Sequence, residues 1–429
     1  MSNTGIDVKL ISASAGTGKT TRLVTEIVQA LDSYAPTEIV AVTFTKAAVR
    51  DLNKKIKDRL ADSPKKESIS DLTISTIHSF FAQILREQSM KLNISPNFEI
   101  LGDNAAVKII FWDICKDVIS KKVTDSSYEE IFLEYSFAEL MKIMETLESR
   151  YAFIRKNVTR TYNDFLKLER DGEARKLNQL TGAKFITDVV DVVIEWDEQG
   201  KAGTLTEARQ LILQDIKALR PALESFLKEA AQDKFNRNDL KKVCAILRNI
   251  NFPSNVRGAK GLEGLNDAYK TLKSVSKEVT ELKIGEDFVS EQAARILVTL
   301  MKIFNDVHQE FSAEKKKMEA LDYNDIELMA YDLVHNYPQV AEYYRTKYSY
   351  VLVDEFQDTN HFQRDTLFKI SKKFFLVGDA KQSIYRFRNA DVRVFVDTQR
   401  KFLKGNFEEL KDNYRSRKNI VDTVNEGFE

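Results

Sequence analysis

Residues 8–20 read VKLISASAGTGKT, and the fold class turns on this stretch. Val8 to Ser12 is a short apolar run of strand character. From Lys19 onward Leu23, Val24, Ile27, Val28 and Leu31 recur at helical spacing, so a helix follows directly. The turn between them is Ala13-Ser14-Ala15-Gly16-Thr17-Gly18-Lys19-Thr20. Strand, glycine-rich turn and helix in this order form the setting of a phosphate-binding loop. The glycines let successive backbone N–H groups point into one concavity, and the helix amino end adds partial positive charge. Lys19 then reaches the β and γ phosphates, Thr20 ligates Mg²⁺, and Thr21 completes the nucleotide-binding turn. Ala13 stands where such loops usually begin with glycine.

Outward from this loop, short apolar runs alternate with helical periodicity, the signature of a parallel sheet in an α/β fold. Ile39–Phe44 and Leu72–Ile77 read as further strands, with a helix between them on which Ala48, Leu52, Ile56 and Leu60 step by four. Tyr350–Asp354 and Phe374–Val377 are two more, giving five strands of one pattern. Between about Pro96 and Leu321 strand-like runs give way to charged residues mixed with Leu, Ile, Val and Phe at helical spacing, interrupted by Pro221 and Pro253. The expected organisation is therefore 1–96, first part of the α/β lobe; 97–320, a large all-helical inserted domain; 321–429, second part of the lobe. A basic, Asn-rich stretch from Asn249 onward is expected to be an exposed loop, and a helix is expected to begin near Arg417.

Composition narrows the function classes. The chain has 429 residues, 43% hydrophobic and 30% charged, with 65 Lys+Arg against 65 Asp+Glu. A strongly basic coat protein is excluded, so attraction to nucleic acid must come from local patches. Residues 46–66 supply one, with eight Lys/Arg against three Asp. Two distant cysteines, Cys115 and Cys244, with four scattered histidines argue against a disulfide framework or a zinc site and fit a reducing cytoplasm. No apolar run approaches the ~18 residues of a membrane span.

Two later segments carry chemistry. Val351-Leu352-Val353-Asp354-Glu355 delivers two carboxylates to the carboxyl edge of the sheet, where ligands of open α/β sheets bind. Asp354 is placed to hold Mg²⁺, and Glu355 to orient or deprotonate an attacking water. Phe374–Asp391 reads FFLVGDAKQSIYRFRNAD, in which Lys381, Arg386 and Arg388 interleave with Tyr385 and Phe387. Cations between aromatics suit single-stranded nucleic acid, with arginines on phosphates and rings stacked on bases. Gln382 lies between the strand and the aromatics, where it can touch nucleotide and nucleic acid together.

At these residues the sequence resembles the UvrD/Rep-type superfamily-one DNA helicases, and within them the RecB/AddA-like branch of helicase-nucleases for double-strand-break repair. The likeness runs in order through SASAGTGKT (Ser12 to Thr20), TFTKAA (Thr43 to Ala48), ISTIHSF (Ile74 to Phe80), VDEFQDT (Val353 to Thr359), VGDAKQSIYRFR and NYRS (Asn413 to Ser416). LDYNDIE (Leu321 to Glu327), KQSIYRFR and the TFTxAA form look closer to RecB/AddA than to Rep, whereas the middle of the chain matches only as a helical insertion. The resemblance implies a RecA-like P-loop lobe that binds ATP and Mg²⁺ through Lys19, Thr20 and Asp354, with Glu355 activating water. It further implies that Gln382 senses the γ phosphate, Tyr414 stacks on adenine and Arg415 contacts the γ phosphate. Phe44, Thr45, His78, Tyr385, Phe387 and Arg388 would line the track for single-stranded DNA. No glutamine precedes Lys19, and Lys46 stands where UvrD and Rep carry Asn.

The implied partners are single-stranded DNA and duplex DNA ends, a second RecA-like lobe beyond Glu429, and a helicase-nuclease partner subunit. Such motors work by closing a cleft between two lobes, so the expectation is an amino-terminal portion that hydrolyses ATP slowly and unwinds nothing alone. The rival readings are a non-catalytic DNA-binding or scaffold subunit with a helicase-like fold, and a P-loop kinase or metabolic ATPase.

Overall fold

The computed structural model describes residues 5–14, 16–102, 105–155, 157–198, 207–232, 234–250, 263–384, 390–402, 406–410 and 412–428. The chain divides into two compact units. The first comprises Met1–Ile114, Glu145–Phe153 and His308–Glu429, and the second Cys115–Met144 and Ile154–Val307.

The first unit is built on β1 (Asp7–Ala13), β2 (Ile39–Thr43), β3 (Thr73–Thr76), β4 (Glu99–Leu101), β5 (Ala320–Asp322), β6 (Tyr350–Val353), β7 (Lys373–Gly378) and β8 (Phe407–Leu410). Six of these form one sheet in the order β3-β2-β6-β7-β1-β8, every neighbouring pair parallel. Side chains alternate faithfully between its faces. Val8, Leu10, Val40, Val42, Val351, Val353, Phe374 and Leu376 join one core, with α3 (Ile77–Glu87) and the helices Tyr323–Asn336, Pro338–Lys347 and His361–Ile370. Ile11, Ala13, Ile39, Ala41, Tyr350, Leu352, Phe375 and Val377 join the other, under α1 (Lys19–Ala30) and α2 (Lys46–Arg59). A parallel sheet covered on both sides has near-continuous apolar strands, which is why the short runs are legible in the sequence.

Three strands depart from the sequence reading. β8, Phe-Glu-Glu-Leu, is an edge strand of half-exposed residues beside β1, so charge blurs the apolar signal. β4 and β5, three residues each, pair in parallel, β4 inside the stretch expected to lack strands and β5 across its carboxyl boundary. They are too short to display an alternation.

The second unit is helical among its described residues. Its core gathers Leu177, Val190, Ile216, Leu219, Leu223, Val243, Leu247 and Leu272. Pro221, expected to interrupt, sits inside the helix Glu207–Ala230. Pro253 and most of the Asn-rich stretch lie outside the described residues. The last helix, Lys418–Phe428, starts one residue after Arg417. Cys115 and Cys244 are both buried thiols, not joined to each other by a disulfide.

Candidate nucleotide and nucleic-acid site

Because every strand of the large sheet runs the same way, the segments leaving the carboxyl ends share one edge. In sheet order that edge carries His78 after β3, Phe44 and Thr45 after β2, Asp354 and Glu355 after β6, Asp379 and Gln382 after β7, the glycine-rich loop after β1, and Asn413–Ser416 beyond β8.

The glycine-rich loop is a turn between β1 and α1. Ala13 is the last residue of β1, paired with Leu410 and 1% exposed, so the position usually given to glycine is here an ordinary strand position. Ser14 is exposed, and its carbonyl accepts both the backbone N–H and the hydroxyl of Thr17, the latter at 2.8 Å. Ala15 lies outside the described residues. Gly16 has φ 81°, and its carbonyl accepts the Tyr414 N–H at 2.8 Å. A Cβ at Gly16 would lie 2.7 Å from the Cβ of Arg415 and 2.8 Å from Asn413 Oδ1, so only glycine lets the NYRS segment close on the loop. Gly18 caps α1 in the left-handed region, and Lys19, Thr20 and Thr21 form its first turn.

Lys19 joins the three strand ends. Its ammonium donates to Glu355 Oε2 at 3.2 Å and to Gln382 Oε1 at 2.9 Å, with the side chain 11% exposed. From Gln382 the path returns to Glu355: Gln382 Nε2 donates to Asp379 Oδ2 (2.7 Å), the Asp379 N–H to Gln357 Oε1 (2.9 Å), and Gln357 Nε2 to Glu355 Oε2 (2.8 Å). The five residues form a closed polar ring. Gln357 and Asp379 received no role in the sequence reading, although both lie in quoted motifs. Gly378 is what admits Gln357, since a Cβ there would meet Gln357 Oε1 at 2.5 Å.

Burial and mutual repulsion mark the acidic side of this ring. β6 ends at Val353, one residue earlier than expected, and Glu355 adopts a left-handed backbone at φ 51°, a strained conformation for a non-glycine residue. Asp354 Oδ1 accepts the Glu355 N–H at 3.0 Å. Burial first, then the nearby Glu355 charge, push the Asp354 carboxyl up to about 6, and the same causes push Asp358 to about 6. Among the described residues, Asp358 Oδ1 is buried with no hydrogen-bond partner. A group of acids at which ionisation is disfavoured is suited to a divalent cation. Mg²⁺ takes one or two carboxylates with phosphate oxygens and water rather than a cage of protein ligands. Among the described residues no cluster of three or more potential ligands forms such a cage.

Asn413 Oδ1 accepts the N–H groups of Arg415 and Ser416, both at 2.9 Å, fixing the turn that carries Tyr414 and Arg415. Tyr414 is 80% exposed, and Arg415 beside it is exposed as well. At the other end of the edge, Phe44 is half-buried and the Thr45 hydroxyl caps α2 by accepting the Ala48 N–H at 3.1 Å. The His78 ring lies on Tyr323, centroids 4.6 Å apart, with Nε2 2.9 Å from Glu327 Oε1. Tyr385, Phe387 and Arg388 lie outside the described residues.

Residues 4–403 match the UvrD/REP helicase N-terminal domain. The chain belongs to that family. Similar proteins include ATP-dependent helicase/nuclease subunits from Lactobacillus johnsonii, 27% identical over 472 residues, and from Streptococcus sanguinis, 28% identical over 481. The protein of the same name from Staphylococcus aureus is 28% identical over 478 residues. Each alignment covers 98% of this chain and 38% of the relative, so the chain spans less than half the length of these proteins. Among the described residues, no helix of this UvrD/REP domain is long and apolar enough to cross a membrane.

The raised Asp354 carboxyl has a consequence for stability. A folded carboxyl that titrates near 6 rather than near 3.8 keeps a proton that the unfolded chain has lost, so stability falls as pH rises between those values, and the full penalty stands above 6. Asp354→Asn is therefore expected to stabilise the nucleotide-free chain at pH 7.5 by on the order of 1–3 kcal/mol. The gain should shrink by pH 4.5. Thermal unfolding of both proteins at the two pH values checks this, and a variant less stable at pH 7.5 refutes it.

Proposed function

We propose that this chain is the ATP-hydrolysing RecA-like lobe, with a helical insertion, of a cytoplasmic DNA helicase that moves along single-stranded DNA in the recombinational repair of double-strand breaks. The observation that carries the proposal is the contact of Lys19 with both Glu355 and Gln382. It gathers the ends of β1, β6 and β7 at one point on the edge that also carries Phe44, Thr45 and His78. Family membership and the names of the longer relatives support the same reading.

In the proposed chemistry ATP enters between the glycine-rich loop and the acidic strand end. Its phosphates take Lys19 from Glu355, because a polyanion offers the ammonium more charge than one carboxylate. Glu355 is then free to accept a proton from the water that attacks the γ phosphorus. Gln382 gains or loses its Lys19 bond according to whether that phosphate is present, and Asp379 and Gln357 hold it in place. Thr20 and Asp354 would hold Mg²⁺, which supplies charge neutralisation on the β and γ phosphate oxygens. Tyr414 would stack on adenine, and Arg415 would meet the γ phosphate. The high exposure of Tyr414 accords with a site closed by a second RecA-like lobe, the element that converts hydrolysis into a stroke. DNA partners would be single strands and duplex ends, met in company with a helicase-nuclease partner subunit.

Titration of the chain with a fluorescent, non-hydrolysable ATP analogue tests this assignment. Binding is expected to require Mg²⁺, and a labelled oligothymidylate is expected to bind the same protein. A non-catalytic scaffold would show no Mg²⁺-dependent nucleotide binding, and that result would refute the proposal.

A further inference from the structure

Glu327 is a buried carboxylate, 6% exposed, that the nucleotide chemistry does not use. It lies on the helix Tyr323–Asn336, whose neighbouring buried positions are Ile326, Leu328 and Ala330. An ionised carboxylate in such surroundings is costly unless donors satisfy it. Three do so: His78 Nε2 at 2.9 Å, Asn360 Nδ2 at 2.8 Å, and Gln363 Nε2. Among the described residues no lysine or arginine pairs with it. Asn360 and Gln363 also cap the helix His361–Ile370 and are 1% and 3% exposed. That helix follows the turn Phe356–Asp358, which itself begins at Glu355.

We infer that Glu327 is a positioning residue, holding the His78 imidazole for contact with single-stranded nucleic acid and tying it, through Asn360 and Gln363, to the segment that carries Asp354 and Glu355. The inference rests on the DNA reading given above. A carboxylate at Nε2 fixes that nitrogen as the donor and sets the ring plane, as an acid does for an imidazole in many active sites. Tyr323 supports the ring from one side. With Nε2 the donor, Nδ1 is an acceptor, and it and the ring face are left to meet a base. An apolar residue at 327 would fill the helix face as well but could not orient the ring.

The test is a double-mutant cycle on oligothymidylate affinity, read by fluorescence anisotropy, with thermal unfolding as the check on folding. Glu327→Met and His78→Ala are each expected to weaken binding by about fivefold to tenfold, the range of one lost neutral hydrogen bond. The double variant should bind no more weakly than the weaker single, because one loss already removes the oriented ring. Methionine keeps the helix face filled but cannot accept from Nε2; Glu327→Leu, which cannot accept either, should match it and stands in for it should the methionine variant unfold. Losses that add, or wild-type affinity in both Glu327 variants while His78→Ala is weakened, would overturn the inference. So would unchanged affinity in His78→Ala. A wild-type chain that binds no oligonucleotide would instead defeat the DNA reading itself, and the inference with it.

Discussion

Lys19→Ala is expected to weaken binding of a Mg²⁺–ATP analogue by about a hundredfold or more. The lysine is the cation that the ring of Glu355, Gln357, Asp379 and Gln382 is built around, and its side chain is largely withdrawn from water. Two hydrogen bonds from an ammonium to phosphate oxygens, each contributing about 1.5–3 kcal/mol, set the scale of the loss. Removal of the cation also leaves Glu355 close to Asp354 and Asp358 without the ammonium that offsets it, so the phosphates meet a more negative site. The sheet should survive, since Lys19 stands at a helix start and contributes no apolar contact to either core. Fluorescence titration of the variant, with its thermal midpoint measured alongside, checks both parts. Undiminished affinity in a folded variant would remove the basis of the proposed function.

Glu355→Gln separates binding from chemistry. The amide cannot take a proton from water, so phosphate release from bound ATP under single-turnover conditions with oligothymidylate is expected to fall by about 10²–10⁴-fold. Analogue affinity should hold or rise, for two reasons. A negative charge beside the γ phosphate disappears, and glutamine can still bond Lys19 through its oxygen. Glu355 is also the second-ranked cause of the raised Asp354 and Asp358 carboxyls, so its neutralisation should make both easier to ionise. A rate unchanged within twofold would assign the proton transfer elsewhere.

The two variants probe residues that are 336 positions apart in sequence, which shows where reading the chain succeeds and where it stops. The glycine-rich turn is legible because strand, turn and helix are local and each has its own periodicity. The apolar strands are legible because a sheet buried on both faces leaves no room for charge. β8 is not, since an edge strand tolerates the two glutamates it carries. Gln357 and Asp379 stand in view without a role, because a polar residue after a strand end has many uses and only a partner selects one. Glu327 is invisible for a related reason. Its three donors come from α3 and from a helix cap more than thirty residues downstream, and no spacing rule connects them.

Local sequence is enough to specify the parallel α/β lobe, the phosphate-binding turn, and the kinds of side chain available at each strand end, because backbone conformation and strand burial are set largely by near neighbours. Only the folded arrangement brings Lys19 to Glu355 and Gln382 together, folds NYRS back onto Gly16, and sets a buried acid against His78. Those contacts depend on the order β3-β2-β6-β7-β1-β8, and a strand order is fixed by how the layers pack, which no stretch of chain encodes locally.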